Sequence, residues 1–67
     1  MYSVDLFDRA GQFSSSIAST FAACLVLVRE LSVKHPDKAL VVTNLDRNDY
    51  DHDGLTDDER DAIDEVR

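Results

Sequence analysis

The strongest constraint on this chain is a helical run, residues 20–35, that is apolar on two sides. Ser19 or Thr20 supplies an N-cap for it. On a helical wheel Phe21, Cys24, Leu25, Leu27, Val28 and Leu31 gather on one broad face, and Ala22, Val26 and Val33 form a second, narrower stripe. Only Ala23, Arg29, Glu30 and Lys34 are left for solvent. The valines lower helix propensity slightly, but the Leu and Ala content sustains it. Pro36 disfavours helical geometry at His35 and ends the run. A helix this apolar is ordinarily buried on two sides, and a chain of 67 residues has little else with which to cover the second.

The flanking segments read as strands. Tyr2-Ser3-Val4-Asp5-Leu6 alternates apolar and polar, the period of a half-buried strand. Residues 8–12 follow as a hairpin turn, with Gly11 able to take a positive φ. Phe13-Ser14-Ser15-Ser16-Ile17 is a weaker second strand with Phe13, Ser15 and Ile17 on one face, although the serines also suit a flexible loop. Residues 38–45 are β-branched and apolar on both faces, which predicts the central strand of the sheet. The first 45 residues therefore read as α+β, a small ββαβ unit in which one helix packs on a three-stranded sheet. Residues 46–67 continue the same single domain as an acidic loop and a short helix.

Composition narrows what such a unit does. Cys24 is the only cysteine, so no intrachain disulfide staples the fold, and its apolar surroundings predict a buried thiol. The formal net charge of −7 is not spread evenly. Residues 1–45 balance Asp5, Asp8, Glu30 and Asp37 against Arg9, Arg29, Lys34 and Lys38, so all of it falls in residues 46–67. Direct nucleic-acid binding is disfavoured, because phosphate is repelled and no basic patch exists to release counterions. The N-terminal residues carry acids where a signal peptide carries Lys or Arg. The longest apolar stretch, residues 17–28, spans about 18 Å as a helix, against a hydrocarbon core of roughly 30 Å. No membrane association is expected, and the chain is expected to be soluble; nothing in it specifies a compartment.

Asp49-Tyr50-Asp51-His52-Asp53-Gly54-Leu55-Thr56-Asp57 carries the chemistry. Ca²⁺ is a hard cation that takes six to eight oxygens at about 2.3–2.6 Å. Carboxylates at alternate positions of a tight loop converge on one point, which suits Asp49, Asp51 and Asp53. Gly54 follows where the chain must bend sharply. Leu55 offers its backbone carbonyl while its side chain packs, and Asp57 binds directly or through a water. Without a cation these negative charges repel one another; a dication reverses the sign. The segment resembles the EF-hand loop, and its Leu-Thr-Asp ending is closest to thrombospondin-type calcium repeats. The resemblance is confined to residues 49–60. It implies Ca²⁺ ligation by Asp49, Asp51, Asp53, the Leu55 carbonyl and Asp57.

Two departures from that pattern matter. The twelfth position, where the family places a bidentate Glu, is Arg60; Glu59 or Asp61 is then recruited, or a water takes the place. A strand rather than a helix precedes the loop, which argues against a sensor that opens on binding and for weak affinity. Thr56-Asp57-Asp58-Glu59 also makes a capping box, which by itself accounts for Glu59. After it Ala62, Ile63 and Val66 form a short apolar stripe able to dock on the domain.

No phosphate loop, nucleophile with adjacent base, or Cys/His cluster is present, so the chain is not expected to be an enzyme. His52 falls at a variable loop position, and His35 beside Pro36 suits the end of a helix. The leading expectation is a non-enzymatic calcium-binding structural or protein-interaction module. The alternative is an acidic inhibitor or nucleic-acid mimic that presents carboxylates to a basic partner. The two-sided helix and two-sided strand predict a homo-oligomer or protein partner through residues 1–45, to be tested by Val26→Lys and Val42→Lys.

Overall fold

In the computed structural model, which describes residues 1–47 and 53–67, the chain runs as β1 (Tyr2–Phe7), β2 (Phe13–Ala18), α1 (Phe21–Lys34), β3 (Ala39–Asn44) and α2 (Asp57–Val66). The β1–β2 turn is built by one side chain. Asp8 Oδ1 accepts from the backbone N–H groups of Ala10 and Gln12, both at 2.9 Å, while Gly11 takes φ 83°, a conformation that a Cβ penalises. Thr20 caps α1 by accepting from Ala23 N–H at 3.2 Å. The helix closes at His35, whose N–H donates to the Leu31 carbonyl at 2.8 Å.

The three strands form one antiparallel sheet in the order β2-β1-β3. Val4 faces Ser16 on one side and Val42 on the other. β2 and β3 therefore run parallel to each other on opposite edges, and α1 carries the chain between them across β1. This corrects the sequence expectation for residues 38–45: β1 is the central strand and β3 an edge. The physical reason lies in the second apolar set of β3. Val41 stays on a sheet face that no further layer of the described residues covers, 45% exposed, so apolarity on both faces did not mean burial on both.

The covered face carries Val4, Leu6, Ala18 and Val42, all buried. Cys24 and Val28 of α1 and Ile63 of α2 complete the core with them, and Tyr2, Phe21, Leu25, Leu27, Leu31, Leu40, Leu55 and Val66 pack around it. Both helices thus lie on the same side of the sheet, and Ile63 and Val66 of the apolar stripe dock as its spacing suggested, with Ala62 half-buried beside them. Fully burying a Val or Ile side chain contributes about 1.5–3 kcal/mol, so α2 adds to the domain's stability. Cys24 is a free, buried thiol, and burial pushes its pKa up.

Among the described residues two surfaces stay open. On α1, Ala22, Val26 and Val33 face solvent. On the outer sheet face Phe13 and Ile17 are 65% and 55% exposed, and Val41 lies beyond them. Val42 points the other way and is 4% exposed; Val41, not Val42, is the β3 residue that probes this surface. No helix among the described residues is long and apolar enough to cross a membrane.

Candidate metal centre

The loop leaves β3 at Asn44, a buried residue whose side chain starts the turn: its Oδ1 accepts from Asp46 N–H at 3.0 Å. Asp49, Asp51 and His52 lie outside the described residues. The described chain resumes at Asp53, whose carbonyl accepts from Asn44 N–H at 2.7 Å along the outer edge of β3. Asp53 Oδ1 folds over the turn to accept from Leu55 N–H at 3.1 Å. Gly54 takes φ 76°, and Leu55 packs its side chain against the core. Asp57 stands exposed in the first turn of α2.

Two basic residues reach into this region. Arg60, at the position where the resembled loops carry a glutamate, donates through Nη2 to Asp53 Oδ1 at 3.0 Å. Arg47 donates to Glu59 Oε1 at 2.8 Å. Glu59 is the most heavily engaged of the expected ligands. Its Oε1 also accepts from Thr56 N–H at 2.9 Å, closing the capping box with Thr56 Oγ1, which accepts from Glu59 N–H at 3.1 Å. Its Oε2 accepts from the Tyr2 hydroxyl at 2.6 Å. Tyr2 in turn sets its ring 5.4 Å from that of Phe21. One carboxylate therefore ties the start of β1, the turn after β3 and the first turn of α2 together, with Tyr2 joining them to α1.

Compared with known proteins, the chain matches no family model, no curated protein and no solved structure. The local geometry has to carry the chemistry.

That geometry separates the expected ligands into two groups. Asp53 and Leu55 sit on the bend around Gly54, and Asp57 opens α2. Both hydrogen bonds to the Asp53 carboxylate fall on Oδ1. Glu59 is held by Tyr2, Arg47 and its own capping box. Among the described residues no three His, Cys, Asp or Glu side chains gather as a metal needs, and a shell here depends on Asp49 and Asp51. The capping role of Glu59 was legible from its spacing to Thr56. Its bond to Tyr2, 57 residues away in sequence, had no local signal.

The electrostatics of Glu59 and Asp53 give a pH dependence. The Tyr2 hydroxyl, helped by the Thr56 and Arg47 contacts, holds Glu59 below the usual carboxylate range against the opposing effect of burial. The Leu55 N–H, with Arg60, does the same for Asp53. Both folded-state pKa values are depressed, so the unfolded chain binds protons more readily, and stability is complete above the ordinary carboxylate pKa of about 4 and lost as pH falls through the folded values. Tyr2 has the opposite sign: the bond to Glu59 raises it, and its contribution persists below about pH 10 and fades as pH climbs further. Glu59→Gln should cost roughly 1.5–3 kcal/mol at neutral pH, the range for hydrogen bonds to a charged group. Its melting temperature should also fall less steeply than that of the wild type between pH 6 and pH 3, measured in chelator. Parallel acid profiles for the two proteins would show that Glu59 is not the group being titrated.

Proposed function

We propose that this chain is a non-enzymatic calcium-binding structural module that engages a second copy or a protein partner through residues 1–45. Ca²⁺ is held by Asp49, Asp51, Asp53, the Leu55 carbonyl and Asp57, and it orders the C-terminal segment. The observation that carries the reading is the bend at residues 53–55. The Asp53 carboxylate folded onto Leu55 N–H, Gly54 at φ 76° and the Leu55 side chain anchored in the core make the turn on which such a loop is built. Arg60 on Asp53 neutralises part of the loop's charge and competes with the cation, which favours weak binding.

After stripping with chelator, the protein should melt higher in saturating Ca²⁺, by about 2.7 kcal/mol of stabilisation at a hundred times Kd. Mg²⁺ should do less, because it demands a tighter octahedral shell and sheds water reluctantly. Arg60→Glu should tighten Ca²⁺ binding more than Arg60→Gln does, since both free Asp53 but only Glu adds a carboxylate at the twelfth position. Superimposable melts in Ca²⁺ and in chelator would rule the cation out. A second reading, an acidic surface for a basic partner, is favoured by one observation: Asp57, Asp58, Asp61, Asp64 and Glu65 are all exposed on α2. Salt-sensitive capture of a basic protein that Ca²⁺ leaves unchanged would support it.

A further inference from the structure

The two edges of the sheet are not alike. Asp8 N–H donates to the Gln12 carbonyl at 3.0 Å where the β1–β2 ladder begins. In an antiparallel ladder alternate residues aim both backbone groups at the partner strand. Ser14, Ser16 and Ala18, opposite Leu6, Val4 and Tyr2, therefore face β1, and Phe13, Ser15 and Ile17 turn their N–H and C=O groups outward. On the far side Leu45 N–H donates to the Met1 carbonyl at 2.9 Å, so Leu40, Val42 and Asn44 face outward from β3. That edge is occupied at both ends. Asn44 N–H is taken by the Asp53 carbonyl, and the Leu40 carbonyl accepts from Arg67 Nη2 at 3.0 Å.

Among the described residues the β2 edge lacks two of the devices that protect exposed strands. Its sequence, FSSSIA, holds no charged residue and no proline. We propose that β2 pairs with β2 of a second copy, antiparallel about a two-fold axis at Ser15, joining the two sheets into one. This rests on the self-association proposed above and assigns its surface. The register is self-complementary. With Ser15 opposite Ser15, Phe13 of each copy lies opposite Ile17 of the other, so all three outward-facing residues find hydrogen-bonding partners within the strand. Phe13 and Ile17 share the open sheet face, where they are among the most exposed apolar side chains. Aromatic and β-branched pairs are favourable cross-strand neighbours. Charge agrees with this edge: residues 1–45 are electrically balanced, whereas the net charge of −7 falls in residues 46–67, whose Asp46, Asp53 and Asp64 lie on the β3 side with Arg60 and Arg67 among them.

Sedimentation at high micromolar concentration combined with cysteine cross-linking tests this. Residues opposite each other in a hydrogen-bonded antiparallel pair have Cα atoms about 5.5 Å apart, within disulfide range, so Ser15→Cys should form a covalent dimer under mild oxidation at least about tenfold faster than Ser14→Cys. Cys24 is fully buried and does not compete. Ser15→Pro removes an outward-facing N–H, at the kind of edge position where a strand accepts proline, together with the Ser15 hydroxyl that donates to Asp5 Oδ1, and should shift the protein to monomer. If Ser15→Pro does not fold, the cysteine pair decides. A wild type that stays monomeric overturns the self-association reading and this one with it. A dimer in which Ser15→Cys links no faster than Ser14→Cys keeps the former and overturns the latter.

Discussion

Val42→Lys should unfold the protein, whereas Val41→Lys, one residue away, should leave it folded. Val42 faces Val4 across the ladder, beneath both helices, and is 4% exposed. An ammonium placed there meets only the apolar groups of Val4, Cys24, Val28 and Ile63, and to reach Asp53 or Asp64, which line the neighbouring groove, the lysine must leave the core. Burying an unpaired charge costs several kcal/mol even after relaxation. A core of this size rarely supplies more than about 3–5 kcal/mol in total. Val41 sits on the open face, where a lysine keeps its charge in water and buries only its stem. Circular dichroism and thermal melting distinguish the two. Equal stability of the two variants would mean that β3 presents the opposite face to the helices.

Ile63→Ala is expected to lower stability by about 2–5 kcal/mol, the range for deleting a large aliphatic group from a core. For a domain this small each kcal/mol moves the melting temperature by roughly 4–8 °C, so the loss should be at least about 8 °C in one cooperative transition. The reason is that Ile63 joins α2, otherwise a strongly acidic helix, to the core of Val4, Cys24, Val28 and Val42, with α1 as its main neighbour. Were α2 a solvated tail, the substitution would fall within about 0.5 kcal/mol, as surface changes do. A change that small would separate residues 46–67 from the cooperative unit.

The open sheet face and the Glu59 contacts show where local reading stopped. The alternation of β1, the helix at residues 21–34 with its Thr20 cap, the glycine turn at residues 8–12 and the capping box at Thr56 were all legible. Each depends on residues within about four positions of one another, where backbone sterics and local hydrogen bonds dominate. Strand order was not. Residues 38–45 looked central because apolar side chains on both faces usually mean two covered faces, yet both helices pack on the same face. The candidate loop divides the same way. Its Asp spacing and Gly54 were plain in the sequence, as was Arg60 in place of a glutamate. That Arg60 would sit on Asp53, and that Glu59 would be held by Tyr2 and Arg47, depended on where β1, β3 and α2 meet.

The sequence by itself determined the elements, their ends, the acidic segment and the turn chemistry, because those follow from propensities and spacings a few residues long. Tertiary structure decided which strand lies in the middle, which edge α2 occupies and which leaves its backbone groups free, and which carboxylate becomes a clasp. Those outcomes are set by competition among distant segments for a single covered face, and no local pattern encodes the result of that competition.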